Sequence, residues 1–189
     1  MTLDDTIPKV NLPEGRKGPW QIERVTIEDN PILRIRERLF KPGTYTHLRH
    51  DHRGLVMSDT PAERYDHYRF IQIAQGRVLI SGLGLGMCVG ALLRKGEVTS
   101  VTVLEIDPDV IALVAPHYED DRLTVIETDA LEYKPPKGSR FNYVWHDIWD
   151  SICLDNRPQM TKLNRRWTRY ADWYGCWSQN LLDHSRGGW

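Results

Sequence analysis

Apolar positions change their spacing along the chain. In the first sixty residues, apolar and polar side chains alternate in short runs at 20–27, 32–40, 44–48 and 53–57. That is the period-two pattern of half-buried strands. With a turn signal at Lys41-Pro-Gly43, it predicts a small β layer. Residues 1–18 carry Pro8, Pro13, Gly15 and Gly18 among charges and are expected to form a loose arm.

Beyond residue 60, short continuous apolar runs alternate with segments of helical spacing. Thr60 can cap a helix there, with Pro61 at its first position and Glu63 completing a capping box. That helix is expected to reach about residue 75. Strands are expected from Val78 and over 101–105, 122–126 and 141–145, with helices to about residue 94 and from Asp107-Pro108 to about residue 117. This alternation predicts an α/β, Rossmann-like, doubly wound and mainly parallel sheet with the Val78 strand central. After residue 150, Leu163, Trp167, Tyr170, Tyr174, Trp177 and Leu181 recur at steps of four and three. The stripe predicts one long helix over 158–182, packed on the sheet. No further strand is expected, so the sheet reads as C-terminally truncated. The exposed edge of its fourth strand then needs a cover, from the β layer, the Trp-rich helix or a second subunit of a homodimer. The expected division is 1–59, arm and β layer, and 60–189, Rossmann-like domain.

Composition narrows the classes. The chain has 189 residues and a formal net charge of −1, so no global field favours nucleic acid or an anionic membrane. No apolar run is long enough to span a bilayer. Cys88, Cys153 and Cys176 are scattered and odd in number, which suits reduced thiols and a cytoplasmic location better than a disulfide framework.

The chemistry concentrates in Val78-Leu-Ile-Ser-Gly-Leu-Gly-Leu-Gly-Met-Cys-Val-Gly90. An apolar strand runs into a Gly-x-Gly-x-Gly turn and then a helix, and a second strand ends in the carboxylate of Glu105. This is the nucleotide-binding βαβ pattern. Glycine permits the sharp reversal, and it lets another group approach the backbone without meeting a Cβ.

Over about residues 53–150, these motifs resemble the class I S-adenosylmethionine-dependent methyltransferase superfamily, and within it the spermidine synthase-like branch. The matching segments are 78–86, Glu105-Ile-Asp-Pro-Asp109, Thr128-Asp129-Ala130 and 141–150. The resemblance implies that Gly82, Leu83, Gly84 and Gly86 line the methionine and ribose portion of S-adenosylmethionine. Glu105, with Ile106 beside it, would bind the ribose hydroxyls. Asp129 would accept from the adenine amino group, with Ala130 adjacent. Asp147 and Asp150 match the spacing of the aspartate pair of spermidine synthases. Asp147 is thus the first candidate for orienting or deprotonating an acceptor, followed by Asp150 and His146. Tyr65, His67 and Tyr68 fall where the related enzymes border the acceptor pocket, and Trp149 flanks the aspartates.

The chain also departs from that branch. Leu85 stands where spermidine synthases carry an acid in the glycine loop, and the Ser and Pro residues around the aspartate pair are absent. The implied activity is methyl transfer to a small-molecule acceptor. The alternatives are aminopropyl transfer from decarboxylated S-adenosylmethionine to a polyamine, or a non-catalytic S-adenosylmethionine-binding or partner protein. The histidines of Thr46-His-Leu-Arg-His-Asp-His52 are read as surface polar residues rather than a metal site, because strand alternation puts His47 and His50 on opposite faces.

Overall fold

The structure, a computed structural model, describes residues 2–29 and 41–179. The strand expected over 32–40, and the end of the long helix expected beyond residue 179, lie outside the described residues.

Two sheets make the frame. The first is antiparallel, in the order β1-β2-β3-β4. Its strands are β1 (Gly15–Lys17), β2 (Trp20–Ile27), β3 (Gly43–His50) and β4 (Gly54–Ser58). β2 turns Trp20 and Ile22 into the core, as period-two spacing requires. The N-terminal segment is not a loose arm. It forms a short helix, α1 (Leu3–Thr6), and then buries Ile7 and Leu12 completely. The buried carboxylate of Asp59 ties it to the sheet by accepting from the backbone N–H groups of Val10 and Thr46.

The second sheet has five parallel strands in the order β7-β6-β5-β8-β9. These are β5 (Gly76–Ser81), β6 (Val98–Glu105), β7 (Leu123–Glu127), β8 (Phe141–His146) and β9 (Ala171–Cys176). β5 holds the centre, as its unbroken apolar run implies for a strand covered on both faces. Val78 and Ile80 point into a core shared with helices α2 (Pro61–Ile73), α3 (Met87–Leu93) and α4 (Pro108–Val114) and with the antiparallel sheet. Leu79 points the other way, into a core closed by Leu163 and Trp167 of helix α5 (Arg157–Trp167). The sheet is therefore doubly covered, as in a Rossmann-like fold.

Two local expectations change. The cap of α2 is displaced. The Thr60 side chain makes no capping bond, and Glu63 reaches back to accept from the backbone N–H and hydroxyl of Ser58, both at 2.7 Å. The larger change is the long C-terminal helix. It ends at Trp167, and the chain returns as β9, parallel to β8. Leu163 and Trp167 bury on the helix, whereas Tyr174 belongs to the strand. Aromatic residues suit both environments, so their spacing alone could not separate the two. Pairing with β8 decides for the strand, because it satisfies the ladder groups that an open β8 would expose. β9 thus does the covering for which a second subunit was one candidate.

Candidate active site

The carboxyl ends of β5, β6 and β8 open onto a cleft of about 250 Å³. In open α/β sheets this is the position at which ligands bind. Gly82, Gly84, Glu105, Ile106, Asp107, Thr128, Ala130 and the segment from Asp147 to Asp150 form its floor and walls. Its roof comes from the antiparallel sheet, through Trp20, Leu48, His50, Arg53, Val56 and Met57.

The glycine turn is shaped by its protein neighbours. Gly82 and Gly84 have φ of +94° and +51°, where an L side chain is strained. A Cβ on Gly82 would collide with the carbonyl oxygen of Asp147, and one on Gly84 with the thioether of Met57. Both missing side chains therefore make room for protein atoms. Gly86 starts α3 against the Tyr118 ring, away from the cleft lining. Leu83 is buried, and its N–H donates to Glu105 Oε2 at 2.8 Å.

Glu105 is 8% exposed, and both of its oxygens are engaged. Oε1 accepts from the N–H groups of Ile106 and Asp107, each at 2.9 Å, while Oε2 accepts from Leu83 alone. A carboxylate oxygen offers about two acceptor positions, so Oε2 retains one for a ligand hydroxyl. Ile106 is 64% exposed in the cleft wall, an apolar face suited to a nucleobase. Asp129 behaves differently. Its carboxylate accepts from the N–H of Leu131 at 2.7 Å and closes the turn, while Thr128 and Ala130 on either side line the cleft.

At the other end stands Asp147, whose side chain is 12% exposed. Burial, followed by the charges of Glu63 and Asp66, pushes its pKa up to about 8. Behind it lies His67 of α2, with Nε2 at 3.5 Å from Asp147 Oδ2 and Nδ1 at 3.3 Å from the indole nitrogen of Trp145. Burial lowers the His67 pKa to about 4. Asp150 is more exposed and pairs with Arg53 at 3.0 Å, and the Arg53 guanidinium sits 4.7 Å from the Trp20 ring centroid. Trp20 in turn donates its indole N–H to Asp107 at 2.7 Å. A chain of contacts thus crosses the cleft from Asp107 to Asp150.

The remaining expected site residues lie elsewhere. His146 is fully buried, with Nδ1 at 2.9 Å from Ser81 Oγ, and is not part of the cleft lining. Tyr65 is 55% exposed and stacks on Tyr68, which is half-buried against the core, and neither lines the cleft. Trp149 does line it, held by Gln159. Among the described residues, no His, Cys, Asp and Glu group is arranged to hold a metal ion. Reasoning from sequence missed Trp20, Arg53 and Met57. They reach the site only through the packing of one sheet on the other, and no local motif marks them.

A parallel five-stranded sheet with a glycine turn after its central strand defines a Rossmann-like α/β fold. No family model matches the sequence. A polyamine aminopropyltransferase from a Synechococcus species is 28% identical over 99 residues, covering 46% of this chain and 32% of that protein. The match thus spans about a third of that curated relative's length. Among solved structures, the chain is similar to the N-methyltransferase NodS from Bradyrhizobium japonicum in complex with S-adenosyl-L-homocysteine, with a TM-score of 0.44 and 15% identity over 57% of this chain and 58% of that one. It is also similar to human methyltransferase-like protein 13 in complex with the same nucleoside, with a TM-score of 0.43 and 14% identity over 61% of each chain.

Proposed function

We propose that the chain is an S-adenosylmethionine-dependent methyltransferase with a spermidine synthase-like core, acting on a small molecule that carries an amine or hydroxyl. The observation that carries this reading is the placement of two carboxylates in one cleft, Glu105 at the end of β6 and Asp147 after β8. Glu105 has an acceptor position left for a ribose hydroxyl, Ile106 offers a face for the adenine, and Thr128 and Ala130 border it. Bound there, S-adenosylmethionine would supply a methyl group already activated by its sulfonium.

The chain's own task is then alignment and proton removal. Asp147 can orient an acceptor and take its proton, and a base whose pKa lies near neutrality is well matched to that role. His67, itself held by the Trp145 indole, stands behind the carboxylate. Asp150, bound to Arg53, borders the entrance.

Aminopropyl transfer is the second reading, favoured by the presence of both Asp147 and Asp150 in the cleft lining. Leu85 weighs against it, because this position of the glycine loop is fully buried in the core and offers no acid to an amine. A protein that binds the nucleoside without turnover is the third.

Calorimetry with S-adenosylmethionine, S-adenosylhomocysteine and NAD, followed by transfer of labelled methyl to a panel of amines and alcohols, separates these readings. Binding of the two sulfur nucleosides and methylation of one acceptor are expected. Preference for NAD overturns the assignment. Tight nucleoside binding with no transfer to any acceptor moves it to the non-catalytic reading.

A further inference from the structure

Four backbone N–H groups of the glycine turn have partners that can be followed one by one. Gly82 donates to the carbonyl of Leu104, Leu83 to the carboxylate of Glu105 and Gly86 to the carbonyl of Leu83, each at 2.8 Å. These three end on oxygens that belong to the turn or to β6. The fourth differs. The N–H of Leu85 donates to the sulfur of Met57 at 3.3 Å. Met57 belongs to β4 of the other sheet, lines the cleft, and approaches through the space that Gly84 leaves by lacking a Cβ.

A thioether is a weak acceptor, and a carboxylate is a strong, charge-assisted one. A ligand carboxylate reaching the turn would therefore outcompete Met57 for the Leu85 N–H. The lining offers little else to such an anion. Its acids are Glu105, Asp107, Asp147 and Asp150, and Arg53 is already engaged by Asp150.

We infer that Met57 is a displaceable occupant of the glycine turn, and that a ligand's carboxylate takes its place on the Leu85 N–H. This inference rests on the nucleoside reading of the cleft. It makes Met57 a specificity residue. A nucleoside that carries a carboxylate must move Met57, whereas one without a carboxylate leaves it in place. Displacement costs affinity, so removing the sulfur should help the first kind of ligand and leave the second unaffected.

Two commercially available nucleosides serve as probes. S-adenosylhomocysteine carries the amino-acid carboxylate, and 5′-methylthioadenosine is the same thioether nucleoside without it. Methionine methyl groups are labelled with ¹³C in the full chain, and the Met57 signal is assigned by its absence from Met57→Leu. If that variant does not fold, Met57→Ile serves for the assignment, and the wild-type spectra still carry the test. The Met57 signal is expected to shift with S-adenosylhomocysteine and stay in place with 5′-methylthioadenosine. Met57→Leu, which cannot accept the bond, is expected to bind S-adenosylhomocysteine about two- to tenfold more tightly and 5′-methylthioadenosine within about twofold of wild type. If both nucleosides bind and the signal moves with both or with neither, the inference is overturned while the nucleoside reading stands. If neither nucleoside binds, the reading itself falls and the inference with it.

Discussion

His67 Nε2 lies 3.5 Å from a carboxylate oxygen of Asp147, and the indole of Trp145 fixes which nitrogen of the ring carries the proton. An indole N–H can only donate, so Nδ1 of His67 must accept and Nε2 must bear the hydrogen. That hydrogen faces Asp147. Burial keeps the imidazole neutral, with a pKa of about 4, and keeps the carboxyl protonated up to about pH 8. At pH 7 the pair is therefore neutral on both sides, and it places an acid beside the cleft that becomes a base with a small rise in pH.

This pair has a signature in stability. The folded-state pKa of Asp147 lies above its unfolded value of 3.8, so the folded protein holds a proton that the unfolded chain has released. Stability from this group is full in acid and is lost as pH rises toward 8. His67 and His146, lowered to about 4 and about 3, act in the opposite direction, but only below about 6.5, their unfolded value. Between pH 6.5 and 8 the Asp147 slope stands uncovered. Asp147→Asn keeps the size and an acceptor for His67 and removes the ionisation. At pH 8 it should be more stable than wild type by about 1–3 kcal/mol, with a flatter pH dependence. Urea denaturation across pH 5–9 checks this, and an unchanged slope would count against a protonated Asp147. The same substitution should reduce any methyl transfer about a hundredfold or more.

Glu105 is built into the backbone at the end of β6. Its carboxylate accepts three backbone N–H groups, from Leu83, Ile106 and Asp107. Glu105→Ala leaves these amides without their partner. It should cost about 2–4 kcal/mol of stability and abolish nucleoside binding, since an unpaired buried donor costs roughly 1–3 kcal/mol. Chemical denaturation and calorimetry on one sample decide. Lost binding with full stability would mean that the carboxylate serves only the ligand.

Gly84 and Gly54 offer a matched pair for measuring steric crowding. Both have positive φ, +51° and +76°, but a Cβ at Gly54 meets nothing within 4 Å, whereas one at Gly84 runs into Met57. Gly54→Ala should cost only the backbone strain, about 1–2 kcal/mol. Gly84→Ala should cost at least about 1 kcal/mol more. Equal losses in thermal denaturation would show that Met57 yields freely.

The Arg53–Asp150 pair spans the mouth of the cleft, yet both side chains are over a third exposed. A double-mutant cycle should therefore give a coupling of less than about 1 kcal/mol, shrinking further in high salt. A large coupling that salt leaves untouched would identify a desolvated clasp.

Local demands were legible without the structure. The helix over 61–73, the central β5, the glycine turn and the carboxylate that ends β6 each follow from spacing, from the need for positive φ or from a run of apolar residues. The amide network around Glu105 could not be read. It depends on how the turn folds back against the end of β6.

The sequence by itself determined the order of strands and helices in the parallel half, its doubly covered sheet and the acids at its carboxyl edge. Those properties follow from periodicity over neighbouring residues, which constrains the backbone before any distant contact forms. Only tertiary structure decided that residues 171–176 extend the sheet, because an aromatic stripe satisfies a helix and a strand alike until β8 offers its open ladder. Tertiary structure also roofed the cleft with Trp20, Arg53 and Met57, and it set His67 behind Asp147 rather than in the cleft. These contacts join residues far apart in the chain, and packing of whole elements against one another sets them.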